Sequence, residues 1–151
     1  MNFEHIVHNE EEMLVIGKKI AGAIASGDKI ALQGTLGAGK TTLARGLLTG
    51  LGFVEEVPSP TFAIIQSYAP PETRIALYHA DLYRIEDPNE IEELGLSDIL
   101  YEGALVAEWP ERMPDSYWVD GLHLTIEIIE NDKRKLIARC NERWSTLWSQ
   151  L

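Results

Sequence analysis

A single cysteine, Cys140, stands in this chain of 151 residues, so no disulfide can close within it, and a reducing compartment suits the composition. The four histidines, His5, His8, His79 and His123, have no metal-site spacing with that cysteine or with one another. Long apolar runs are missing too: none approaches the length that spans a bilayer. The opening MNFEHIVHNEEE is acidic where a secretory signal would be basic and then apolar, which makes a cytoplasmic location the expectation. Positive charge is scarce, with 13 basic against 24 acidic side chains and a net charge of −11. A domain that grips nucleic acid by its phosphates carries a basic surplus or stripe, so autonomous binding of RNA or DNA is disfavoured. The acidic excess reads first as solubilising surface and second as a face for a basic partner. No internal repeat, low-complexity tract or long linker divides the chain.

What remains has the makings of one folded domain. Hydrophobic residues at 45% and charged residues at 25% match soluble globular proteins, and the length suits one core. Phe3 to Val7 reads as a short strand. Asn9 and Glu12 have capping-box spacing ahead of Met13, Ile16, Ile20 and Ile24, predicting a helix over residues 10–25. After a turn at Ser26-Gly27-Asp28, Lys29 to Gln33 reads as a buried strand running into a glycine-rich segment. A helix with Leu43, Leu47 and Leu51 follows. Thr61 to Tyr68 and Arg74 to Asp81 predict an antiparallel hairpin around Ala69-Pro70-Pro71-Glu72. Asp87 has the position of an N-cap, with Pro88 next and Glu90 closing a capping box, for a short helix that Gly95 ends; Ser97 or Asp98 starts another. Ala104 to Ala107 is a second buried strand stopped at Pro110. Leu122 to Ile128 and Leu136 to Cys140 form a second hairpin across Asn131-Asp132. Trp144, Leu147, Trp148 and Leu151 mark a final core-facing helix. The pattern is α/β: a P-loop NTPase-like single domain over residues 1–151, with a central mixed sheet, antiparallel hairpins and flanking helices.

The chemistry concentrates at Gly34-Thr35-Leu36-Gly37-Ala38-Gly39-Lys40-Thr41, which satisfies G-x-x-x-x-G-K-[ST] with a strand before it and a helix after it. Glycines let successive N–H groups turn inward on phosphate oxygens while the helix presents its positive end. The cradle therefore comprises Leu36, Gly37, Ala38, Gly39, Lys40, Thr41 and Thr42. Lys40 reaches the β and γ phosphates, Thr41 places its hydroxyl on Mg²⁺, and Thr42 adds backbone or hydroxyl contacts. Such a loop needs an acid at the end of a neighbouring strand. Asp81 and Glu108 both occupy such positions, and the sequence does not rank them. The Asn-Lys-x-Asp and Asp-x-x-Gly motifs of GTPases are missing. Arg84 and Arg112 keep a small-molecule kinase open, and an ATP-ordered scaffold is a further alternative. His79 could bond Asp81 or the segment near Thr61, or fill the core.

Four blocks in order resemble the TsaE (YjeE) family, the small ATPase of the bacterial machinery that installs threonylcarbamoyladenosine on tRNA. They are Gly34 to Thr42, Val57-Pro58-Ser59-Pro60-Thr61-Phe62, His79-Ala80-Asp81-Leu82-Tyr83-Arg84, and Glu108-Trp109-Pro110-Glu111. The resemblance covers most of the chain. It implies an ATPase, slow alone, that binds and hydrolyses ATP with Mg²⁺ while docked on TsaD-like and TsaB-like proteins. By the same likeness Lys40 is the phosphate clamp, Thr41 and Glu108 hold the metal, and Asp81 orients water or metal. Thr61 belongs to a switch-like loop near the γ-phosphate, Trp109 packs beside the metal site, and adenine lies between Glu10 and Arg134. One departure stands out: the family usually has Gly-Asp-Leu-Gly where this chain has Gly34-Thr35-Leu36-Gly37.

Overall fold

Asn9 opens the first helix as its spacing predicts. In the computed structural model, which describes residues 1–57, 65–87, 89–93 and 95–151, Asn9 Oδ1 accepts the Glu12 N–H at 2.9 Å. The Glu12 carboxylate reaches one residue further back than a capping box requires, taking the His8 N–H at 2.7 Å. Helix α1 (Glu10–Ala23) ends two residues before the expected limit because Asp28 Oδ2 captures the Ala25 N–H at 2.7 Å. Its own last turn has no basic residue. Two distant arginines serve instead: Arg74 donates to the carbonyl of Ala21 at 2.7 Å and Arg143 to that of Ala23 at 2.8 Å. Both place positive charge at the negative end of the helix dipole.

The strands are β1 (Asn2–Val7), β2 (Lys29–Gly34), β3 (Ile65–Tyr68), β4 (Ala76–Asp81), β5 (Gly103–Glu108), β6 (Leu122–Ile128) and β7 (Arg134–Arg139). They form one sheet in the order β1-β7-β6-β2-β5-β4-β3. The four central strands are parallel, while β3, β7 and β1 join antiparallel, so both predicted hairpins exist at the margins of a parallel core. Residues 61–64 of the first hairpin, and Thr61 with them, lie outside the described residues. Helix α2 (Lys40–Gly50) follows β2 directly. Asp87 caps the short α3 (Asn89–Glu93) by accepting the Asn89 N–H at 3.0 Å; Pro88 is not among the described residues. Helix α4 (Leu96–Glu102) begins straight after Gly95, whose φ of 73° reverses the chain, so it starts ahead of the predicted Ser97 or Asp98.

Packing follows from the two sheet faces. Ile30, Leu32, Leu77, Val106, Leu122 and Leu124 meet Ile16 and Ile20 of α1, Leu43 and Leu47 of α2, and Trp144 and Trp148 of α5 (Glu142–Ser149). On the other face Ala31, Ala80, Leu105 and Ala107 meet Leu82, Ile85 and Trp118. Helices α1 and α2 approach closely because Gly17 faces the Leu43 carbonyl and Gly46 faces the Leu14 carbonyl; a Cβ on either would press into that backbone. The result is one α/β domain whose parallel strands β2, β4 and β5 deliver their C-terminal ends to one edge, beside the start of α2.

Candidate functional site

Strand β2 ends at Gly34, and the chain reaches Lys40 through a turn closed by the Ala38 N–H on the Thr35 carbonyl at 3.1 Å. Gly39 has φ 116°, a conformation costly for any residue with a Cβ, and its position lets Lys40 begin the helix at once. The Lys40 ammonium turns back over the loop, donating to the carbonyls of Gly34 at 2.5 Å and Thr35 at 3.0 Å. It also lies 4.3 Å from the centre of the Trp109 ring. Burial pulls its pKa below the ordinary lysine value, against the opposing pull of Glu108, Glu111 and Asp81.

The parallel register places Asp81 directly beside Glu108 at the strand ends. Glu108 is the better connected of the two. Its buried carboxylate accepts from the Thr41 hydroxyl, 3.1 and 3.2 Å from its two oxygens, and its Oε2 is 2.6 Å from Nε2 of the fully buried His79. Asp81 Oδ1 accepts the Tyr83 N–H at 3.0 Å. Burial raises the Asp81 pKa, reinforced by the Glu108 charge and opposed by the Tyr83 N–H, His79 and Lys40. Trp109 takes a left-handed backbone, φ 59° and ψ 51°, rare for a bulky residue. That turn sets its ring against Tyr83 at 4.8 Å as well as under Lys40, and Arg112 lies over the Tyr83 ring at 5.7 Å.

On the other flank of the loop, Arg134 donates from Nε to the Ala38 carbonyl at 2.9 Å and from Nη2 to the Gly37 carbonyl at 3.3 Å. Glu10, Thr42 and Arg134 line one cavity of about 380 Å³ with Met13 and Gly37 to Gly39. The structure thus brings Glu10, Gly37, Ala38, Gly39, Lys40, Thr41, Thr42, Asp81, Glu108, Trp109 and Arg134 around one loop. Leu36 belongs to the same loop and is 74% exposed. Thr61 falls outside the described residues. Of the readings open for His79, the structure shows the core position: the ring is fully buried, sits opposite Val106 in the parallel register, and meets the carboxylate of Glu108 two residues further along β5. Among the described residues no three His, Cys, Asp or Glu side chains converge as a metal cage. Mg²⁺ asks for less than that, one or two carboxylates with phosphate and water, and the paired Thr41 hydroxyl and Glu108 carboxylate fit that demand.

The family model of the threonylcarbamoyl adenosine biosynthesis protein TsaE matches residues 7–137, a span that includes the loop, both strand-end acids and Arg134. The chain belongs to the TsaE family. It is 38% identical over 145 residues to the tRNA threonylcarbamoyladenosine biosynthesis protein TsaE of Bacillus subtilis, covering 95% of this chain and 89% of that one. The Streptomyces coelicolor TsaE is 36% identical, over 89% of this chain and 95% of its own. The Nostoc TsaE reaches 46% over 70% and 67%. A crystal structure of Bacillus subtilis YdiB superposes with a TM-score of 0.78 at 29% identity, covering 99% of this chain and 93% of that chain. As a TsaE family member the chain is placed in tRNA threonylcarbamoyladenosine biosynthesis. No helix among the described residues is long and apolar enough to cross a membrane.

Proposed function

We infer that this TsaE family member is an ATPase that binds and hydrolyses Mg²⁺-ATP in support of tRNA threonylcarbamoyladenosine formation, acting with TsaD-like and TsaB-like partners. The observation that carries the reading is the meeting of the Thr41 hydroxyl with the Glu108 carboxylate beside the buried Lys40. A hydroxyl at the second position of the helix and an acid at the end of the adjacent parallel strand are the two protein groups a P-loop offers a magnesium ion. Mg²⁺, when bound, neutralises charge on the phosphate oxygens.

The protein's own share of the work is positional and electrostatic. Backbone N–H groups of Gly37 to Thr42 hold phosphate oxygens at the N-terminal end of α2. Lys40 exchanges the carbonyls of Gly34 and Thr35 for phosphate oxygens and carries its charge to the β and γ groups. Thr41 and Glu108 would hold the metal, and Asp81 would orient the attacking water or the metal. The cavity between Glu10 and Arg134 takes the base. Lys40→Ala is expected to weaken Mg²⁺-ATP and Mg²⁺-ADP binding at least about tenfold in calorimetry, the value of a lost charge-assisted contact. Glu108→Ala is expected to cut hydrolysis by a similar factor or more while the fold persists. Unaltered turnover in both variants, with partners present, would end the assignment.

A further inference from the structure

His79 has no role yet in the site as described. Its side chain is fully buried on β4, and Nε2 lies 2.6 Å from Glu108 Oε2. A carboxylate only accepts, so Nε2 carries the hydrogen. Among the described residues Nδ1 finds no hydrogen-bond partner, so the ring's one polar connection there is to Glu108. Glu108 is itself only 4% exposed. A buried carboxylate held by the rotatable Thr41 hydroxyl alone could turn about its last bond; a second donor from a strand fixes the plane.

We propose that His79 is a positioning residue that ties down one oxygen of Glu108 and so presents the other, Oε1, to the metal side of the phosphate loop. The assignment rests on the ATPase reading of the same site. The Thr41 hydroxyl stands between both oxygens, 3.1 Å from Oε1 and 3.2 Å from Oε2, and cannot choose between them. The imidazole can: it binds Oε2 and is anchored in the sheet, which leaves the Thr41 hydroxyl as the one donor facing Oε1 among the described residues. Groups behind a metal-binding side chain typically change metal affinity or activity about 10- to 100-fold when removed. The loss should therefore appear in magnesium dependence and leave alone the backbone cradle, which His79 does not touch.

The test is calorimetric titration of ADP into the purified chain, with EDTA and then across a Mg²⁺ series. His79→Leu is expected to leave metal-free ADP binding within about twofold of the parent and to raise the Mg²⁺ concentration for half-maximal enhancement about tenfold or more. His79→Gln, whose amide nitrogen reaches the place of Nε2, is expected to recover most of the loss, and the shorter His79→Asn is not. In a Glu108→Gln background, His79→Leu should add nothing to the magnesium requirement. Should His79→Leu fail to fold, the Gln and Asn pair decides. Equal magnesium dependence in folded parent and Asn variants overturns the proposal, as does a matching loss of metal-free binding. A parent chain that binds ADP with no magnesium enhancement at all sinks the ATPase reading itself, a distinct result.

Discussion

Asp81 and Glu108 end neighbouring strands in register, yet their surroundings differ. Glu108 receives a hydroxyl and an imidazole, whereas the carboxylate of Asp81 accepts one backbone N–H, from Tyr83. Burial raises the Asp81 pKa above its ordinary 3.8. A raised acid pKa means the folded chain holds that proton more tightly than the unfolded one. The associated stability is complete below the unfolded value and is lost as pH climbs through the folded one. Asp81→Asn should therefore stabilise the protein at neutral pH, by roughly 2 °C in Tm for a half-buried group, with the gap to the parent closing as pH falls toward 3.8. Melting curves across pH check this; a gap that widens on acidification contradicts it. Residue placements were legible where the pattern is local. Gly34 to Thr42 announces itself because the cradle is contiguous, and Asp81 and Glu108 show as acids closing apolar strands. The partner of His79 was not legible, because it depends on how β4 and β5 are registered between residues 29 positions apart in the chain. Trp109 was expected near the metal side, but nothing local foretold its left-handed backbone or its ring under Lys40.

At the scale of elements, the site depends on how tightly α2 is seated. Its Lys40 and Thr41 are aimed by a helix whose Gly46 abuts the Leu14 carbonyl of α1. Gly46→Ala should cost about 2 kcal/mol or more through overpacking, roughly 4–8 °C in Tm, and should weaken ADP binding along with stability. Gly22→Ala is the contrasting case. Nothing lies within 4 Å of the Cβ it would add, and the position is on the exposed side of α1. Better helix propensity should then add about 0.5 kcal/mol. Thermal melts of the two variants check both signs. Element identities were readable from periodicity and caps, but element ends were less so. Helix α1 stops at Ala23 because a side chain five residues on takes a backbone N–H, and α4 starts early because Gly95, with φ 73°, turns the chain immediately before it. Both outcomes hang on contacts that an amphipathic pattern does not contain.

At the scale of the whole molecule, a net charge of −11 bears on what the chain meets. Alone, it should not retain tRNA at physiological ionic strength in filter binding, since it lacks the cationic excess that displaces counterions. Docking of this acidic surface on the proposed partners should slow as salt is added, a dependence that stopped-flow mixing measures. The order of the sheet lay beyond sequence reading, because β1 pairs with β7, the strand farthest from it along the chain. That pairing has a consequence for how the protein matures. Glu10, just past the first strand, and Arg134, at the start of the last, wall the same hollow. Those stretches meet by a closure across most of the chain, the kind of encounter that comes late in folding. Competence for the proposed nucleotide should accordingly be among the final properties regained on refolding, so that a half-assembled chain would leave that ligand unbound.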